Sequence, residues 1–290
     1  IVCFALITLL FLDFTGTLHT WFGWLAKIQF LPAVLALNIG VVLLLIVLTL
    51  LFGRIYCSVI CPLGVFQDAV SWISGKRKKN RFRYSPALRW LRYGVLTVFV
   101  IALVAGWNTF VILLAPYSAY GRMASSLLAP FWQWGNNLMA YFAERAESYA
   151  FYEVDVWMKS LSTLIIAIIT LVVLFILAWR NGRTYCNTIC PVGTILGFIS
   201  RYSIFKPVID TSKCNGCGLC ARNCKASCIN TKAHEIDYSR CVACMDCLGK
   251  CKQRAIRYTR RIPKKESATT ETVQVKSVTA EQVNNARRSF

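Results

Sequence analysis

The chain has 290 residues, 56% of them hydrophobic, and a formal net charge of +20. That is too apolar for an ordinary soluble domain and points to membrane spans. Only two histidines, His19 and His234, and no C-x-x-C-H exclude c-type haem and leave no Cys–His or Ser–His–Asp arrangement.

Residues 1–14 are apolar apart from Asp13. The chain opens at Ile1 and no small-residue cleavage site follows, so this stretch is expected to be the end of a first span rather than a signal sequence. Residues 15–27, with His19, Trp21, Trp24 and Lys27, fit a membrane interface. A second span is expected over Val34 to Phe52, closing at Gly53-Arg54, where the arginine is expected to snorkel to the headgroups. Residues 53–64 read G-R-I-Y-C-S-V-I-C-P-L-G, and Phe66, Val70, Trp72 and Ile73 then form a short amphipathic stretch. Lys76 to Arg92 carries eight basic residues and no acid. Tyr93 to Gly121 is free of charge and is expected to hold a third span, Arg122 to Asp155 a loop, and Ser160 to Trp179 a fourth span.

The cysteine motif then returns as G-R-T-Y-C-N-T-I-C-P-V-G over residues 182–193. The two copies share G-R-x-Y-C-x-x-x-C-P-x-G, an internal repeat of span pairs. Cys57 and Cys61, and Cys186 and Cys190, have i, i+4 spacing, but the proline after each second cysteine breaks a regular helix. A turn that exposes both sulfurs is expected there, and repeat symmetry would bring the four thiols together. They would form a metal or iron–sulfur site, or two redox dithiols. Packing alone is the weakest reading, because the pattern occurs twice.

Residues 214–251 carry the strongest signal. Cys214, Cys217, Cys220 and Cys224 form one C-x2-C-x2-C-x3-C run, and Cys241, Cys244, Cys247 and Cys251 form a second. This is the signature of a bacterial two-cluster ferredoxin, in which the fourth cysteine of each run ligates the other cluster. The expected ligands are therefore Cys214, Cys217, Cys220 and Cys251 for one [4Fe-4S] cluster, and Cys241, Cys244, Cys247 and Cys224 for the second. Structural zinc uses paired ligands across a longer loop, and disulfides fit less well still because ligating thiols must stay reduced. The usual proline after each run is Lys225 or Lys252, which puts positive charge near the clusters. Cys228, opposite Ala255 of the repeat, reads as a small packing residue rather than a ninth ligand.

Basic residues concentrate at 76–92 and beyond Arg180, so the positive-inside rule puts both cysteine motifs and the ferredoxin segment on the cytoplasmic side. This placement accounts for much of the net charge and argues against nucleic-acid binding. The expected fold is an α-helical multi-pass membrane bundle of about four spans, residues 1–206, followed by a small α+β two-cluster ferredoxin-like domain, 207–261. Residues 262–290 are polar and are expected to be a disordered tail.

Spans ending in the repeated cysteine motif, with a two-cluster tail, resemble the NapH-type membrane ferredoxin family over about residues 1–260. Its relatives include the membrane portions of nitrous-oxide reductase maturation regulators and copper-reducing oxidase-assembly proteins. The resemblance implies an electron-transfer protein of the bacterial cytoplasmic membrane, drawing on the quinone pool and feeding a partner reductase. A metal-reducing maturation factor and a redox-sensing regulator are the alternatives. Asp13 and His19, ionisable and near membrane depth, are the candidates for a quinol site.

Overall fold

The computed structural model describes residues 2–13, 15–77, 82–145, 152–156 and 160–260. The expected tail lies outside them. The chain is mostly helical up to Tyr202 and then forms a small ferredoxin-like unit of short helices and strands. Leu161–Asn181 is the one described helix long and apolar enough to cross a membrane; Val2–Leu12 and Ile39–Phe52 are apolar but shorter. Leu43 and Leu44 on Ile39–Phe52, and Ile165, Ile169, Val172 and Ile176 on Leu161–Asn181, are exposed. An apolar surface of that kind marks contact with lipid or protein.

The charge-free run 93–121 is broken into three helices, Arg89–Val104, Asn108–Leu114 and one starting at Pro116. Gly106, in the left-handed region at φ 74°, turns the chain after the first. Pro116 takes the opening position of the next, where its missing N–H costs nothing. The stretch expected to be a loop after Arg122 is helical through Arg145, with one wider π turn at Ala124–Leu128.

Both copies of the repeat have the same local path. A long helix ends at a glycine with positive φ, Gly53 at 74° or Gly182 at 69°. A one-turn helix follows, Ile55–Val59 or Thr184–Thr188, and then a helix opened by the Cys-Pro pair, Pro62–Arg77 or Pro191–Ile199. The proline supplies a ready-made helical φ at that start. The first copy's Pro62–Arg77 packs along the second copy's Leu161–Asn181, where the Ser74 hydroxyl donates to Trp179 O at 3.1 Å.

The ferredoxin-like unit is closed by an antiparallel pair, Phe205–Ile209 with Ile256–Arg260, in register Phe205 to Arg260 and Ile209 to Ile256. A second pair joins Ile229–Asn230 to Glu235–Ile236. Its inner face is apolar, with Ile229, Ile236, Val242, Ala255 and Ile256 buried.

Candidate iron-sulfur and thiol centres

The two cysteine runs line two cavities, and the fourth cysteines are exchanged between them. One cavity is lined by Cys214, Cys217, Cys220 and Cys251. The other is lined by Cys224, Cys241, Cys244 and Cys247, together with Cys228. The loops repeat their backbone as well. Gly216 and Ala243, Gly218 and Met245, and Ser227 and Arg254 occupy equivalent places and all have positive φ, between 49° and 73°. These left-handed residues fold each loop around its sulfurs, and Gly bears the conformation more easily than Ala or Met.

Backbone N–H groups point at the sulfurs, as anionic thiolates require. Ala255 N donates to Cys251 Sγ at 3.3 Å, and Ala226, Ser227 and Cys228 donate to Cys224. The neighbouring Cys228 thiol, helped by these N–H groups, holds the Cys224 thiol down at about 7, whereas burial pushes Cys244 up to about 12. Metal binding would supply the missing driving force for deprotonation there. Cys217 of the first set is exposed, whereas Cys224 of the second is buried.

The four repeat cysteines are all buried and all free thiols. Cys57 and Cys186 lie in the one-turn helices, and Cys61 and Cys190 immediately precede the prolines. The expected turn is present, but it buries the sulfurs rather than exposing them. Burial pushes the Cys61, Cys186 and Cys190 thiols up, and the neighbouring repeat cysteines add to it. Donors reach them too: Gln67 Nε2 to Cys186 Sγ at 3.4 Å and Gly193 N to Cys190 Sγ at 3.4 Å, with Arg54 Nη2 at 3.9 Å from Cys57 Sγ. Among the described residues, no three His, Cys, Asp or Glu side chains are gathered tightly enough to hold a single metal ion.

The arginine of each copy serves the other copy. Arg183 donates through Nη1 to Cys57 O at 2.5 Å, and Arg54 through Nη2 to Cys186 O at 3.1 Å. The last glycine of each motif makes room for this contact. A Cβ at Gly64 would lie 2.1 Å from Cys57 O, and one at Gly193 2.2 Å from Cys186 O. Arg54 therefore does not snorkel; it is wholly buried, as is Arg183. Sequence reading missed both roles, although the arginine's return at the same place in each copy was the available signal.

Arg183 also grips Asp68 with both nitrogens, at 2.8 and 2.6 Å. Asp68 faces Lys225 at 3.8 Å, and Lys225 pairs with Asp246 at 2.8 Å. The positive charge expected of Lys225 near the clusters is thus answered by two carboxylates. Arg54 and Arg92 differ, for they are buried and form no ion pair among the described residues. Arg54 Nη1 donates to Asn187 Oδ1 at 2.9 Å and Ser239 O at 3.2 Å, and Arg92 Nη2 donates to the same Ser239 O at 3.2 Å. Ser58 Oγ donates to Val242 O, and Asn187 Nδ2, from the equivalent place in the other copy, donates to Ala226 O at 3.3 Å. The repeat thus fastens directly onto the loops that form the second cavity. Arg54 has no carboxylate partner and Arg92 meets Asp237 only through Ser239, so a net negative iron–sulfur centre beside them fits, because a buried charge needs a partner of opposite sign.

Asp13 and His19 lie together, but as a local cap. The Asp13 carboxylate accepts from the backbone N–H of Thr15, Gly16 and His19. A cavity of about 180 Å³ beside it is lined by Leu9, Leu12, Asp13, Thr15, Thr17, Leu18 and Trp132, without His19.

The sequence model of a family described as a 4Fe-4S binding domain matches residues 34–80 and 162–210, the two copies of the repeat. A second model with the same description matches 207–230. The ferredoxin-type protein NapH of Haemophilus influenzae is 26% identical over 195 residues, covering 67% of this chain and 55% of that protein. The methylamine utilization ferredoxin-type protein MauN of Paracoccus denitrificans is 22% identical over 189 residues, covering 64% of this chain and 53% of that protein. The pyruvate synthase subunit PorD of Methanothermobacter thermautotrophicus is 42% identical over 48 residues, 17% of this chain and 58% of that subunit. The chain spans about half the length of NapH and MauN. No solved structure matches it.

Proposed function

Starting from a chain that belongs to the NapH-type family of ferredoxin-type iron–sulfur electron-transfer proteins, we propose that it relays electrons from membrane quinol to a partner reductase. The observation that carries this reading is the fastening of the repeated Cys motif to the second cysteine cavity by Arg54, Ser58 and Asn187. A relay needs its stations in contact, and these bonds put the repeat thiols and the ferredoxin-like unit in one packed body. When bound, [4Fe-4S] clusters supply one-electron carriers.

The residues divide the work. Cys224, Cys241, Cys244 and Cys247 would hold the centre nearer the membrane half, and Cys214, Cys217, Cys220 and Cys251 the outer one. Cys224 is buried in the inner set, and the exposed Cys217 would leave the outer centre accessible to a soluble partner. Cys57, Cys61, Cys186 and Cys190 would form the entry station, a metal or iron–sulfur site or a pair of redox dithiols. Arg54, without a carboxylate partner, favours anionic sulfur there. Asp13 and His19 remain the quinol candidates, Asp13 supported by the cavity it lines.

The membrane setting is part of the proposal. The basic residues at 76–92 and the apolar outer faces of the repeat helices support a membrane bundle with both cysteine motifs cytoplasmic, Leu161–Asn181 being the one described helix long enough to span alone. A periplasmic reporter fused near Asn136 is expected to be active, and one near Lys79 silent. The relay itself is tested by replacing all four repeat cysteines with serine, then assaying metal content and quinol-to-acceptor flow. Loss of flow supports the entry station. Flow and metal content equal to wild type would make these cysteines structural.

A metal-reducing maturation factor is the second reading; thiolates are soft ligands, and the four buried repeat thiols would have to close further to share one ion. Stoichiometric copper bound at those cysteines, with no quinol-dependent reduction, would select it.

A further inference from the structure

The second cavity is lined by five sulfurs where a cluster takes four. Cys228 shares it with Cys224, Cys241, Cys244 and Cys247, and is 1% exposed. Its Sγ lies 3.5 Å from Cys224 Sγ, and it is also hydrogen-bonded to Cys241. The chain contains its own control, because the equivalent place in the other half is Ala255, equally buried. There Cys251 Sγ receives the Ala255 backbone N–H at 3.3 Å, and among the described residues no fifth thiol lines the cavity. A side chain needed only to fill space would serve as alanine in both halves.

A ligating thiolate has no proton to give, so between Cys228 and its neighbours Cys228 must be the donor. Its single S–H proton lies between two ligand sulfurs. Reduction adds a negative charge that spreads onto those sulfurs, and a donor aimed at them stabilises the reduced state.

We propose that Cys228 is a positioning residue of the second centre, whose S–H, shared between the sulfurs of Cys224 and Cys241, raises that centre's reduction potential and so sets the two centres apart. Cys228 is neither oxidised nor deprotonated in the cycle; the electron enters the centre and the thiol keeps its proton. The inference rests on the reading of the eight other cysteines as ligands, and iron content separates failure of that reading from failure of this one.

The experiment is an EPR-monitored redox titration of the anaerobically purified full chain as wild type, Cys228→Ala, Cys228→Ser and Ala255→Cys, with iron counted in each. Cys228→Ala is expected to keep wild-type iron and to make one centre about tenfold harder to reduce, a fall of about 59 mV for one electron. The other centre stays in place. Cys228→Ser, which retains a donor, restores most of the shift. Ala255→Cys raises the potential of the opposite centre. Unchanged potentials in both Cys228→Ala and Ala255→Cys would reduce Cys228 to packing. Loss of about half the iron in Cys228→Ala would make it a ligand, and would overturn the proposal. Wild-type protein that binds no iron would instead refute the ligand reading beneath it.

Discussion

Arg183→Met tests the exchange of arginines between the two repeat copies. In the folded chain Arg183 is wholly buried, bound to both oxygens of Asp68 and to the Cys57 carbonyl. Methionine fills much of the same volume but leaves Asp68 without its main partner. Removing one member of a buried pair costs about 3–5 kcal/mol. The low end applies, because the Asp68 side chain keeps 20% exposure and Lys225 lies 3.8 Å away. A cost of about 3 kcal/mol raises the locally open population about a hundredfold. Thiol-reagent labelling of Cys57 and Cys186, buried in the native state, reads that population directly. Arg183→Lys keeps the charge but loses the fork, so its labelling rate should fall between the two. Adding Asp68→Asn to Arg183→Met should recover part of the loss, since no unpaired carboxylate then remains. A rise in labelling of less than about threefold in Arg183→Met would refute the brace.

Gly193→Ala should be more damaging than its size suggests, because the new Cβ meets Cys186 O at 2.2 Å and Arg54 Nη2 at 2.8 Å. Gly75→Ala, with nothing within 4 Å in a helix, should instead be neutral or stabilising by up to about 1 kcal/mol, and thermal unfolding compares the two. Cys251→Ser lies in the second motif yet should remove the centre of the first cavity, leaving about half the iron and the EPR signal of the other centre. Asp13→Asn should slow quinol-dependent reduction while leaving dithionite-reducible iron unchanged; an unaltered quinol rate removes Asp13 from the site.

That the eight cysteines line two cavities was legible because the spacing within each run is a local property. Runs at 214–224 and 241–251 close into loops of their own, and the exchange of Cys224 and Cys251 follows from the repeat. A turn before each proline was expected, but not that it would be a one-turn helix with its cysteines buried. The arginines were not. Arg54 ends an apolar run and reads alone as a headgroup anchor, yet its partners Cys186, Asn187 and Ser239 lie far along the chain. Lys225 likewise read as free charge, because Asp68 belongs to a different helix. The charge-free stretch 93–121 read as one span by composition, but the left-handed Gly106 and helix-opening Pro116 divide it. Cys228 read as filler because its place in the repeat holds alanine. Only the folded loop shows its sulfur between those of Cys224 and Cys241.

The central claim is a two-centre relay fed from quinol. It is tested most directly by adding a quinol to the anaerobically purified chain in lipid vesicles and recording iron content and EPR together. The account predicts about eight irons per chain in the ferredoxin-like unit and reduced-cluster signals that grow with quinol and vanish on oxidation. Four irons or fewer there, or centres that dithionite reduces and quinol does not, would contradict it.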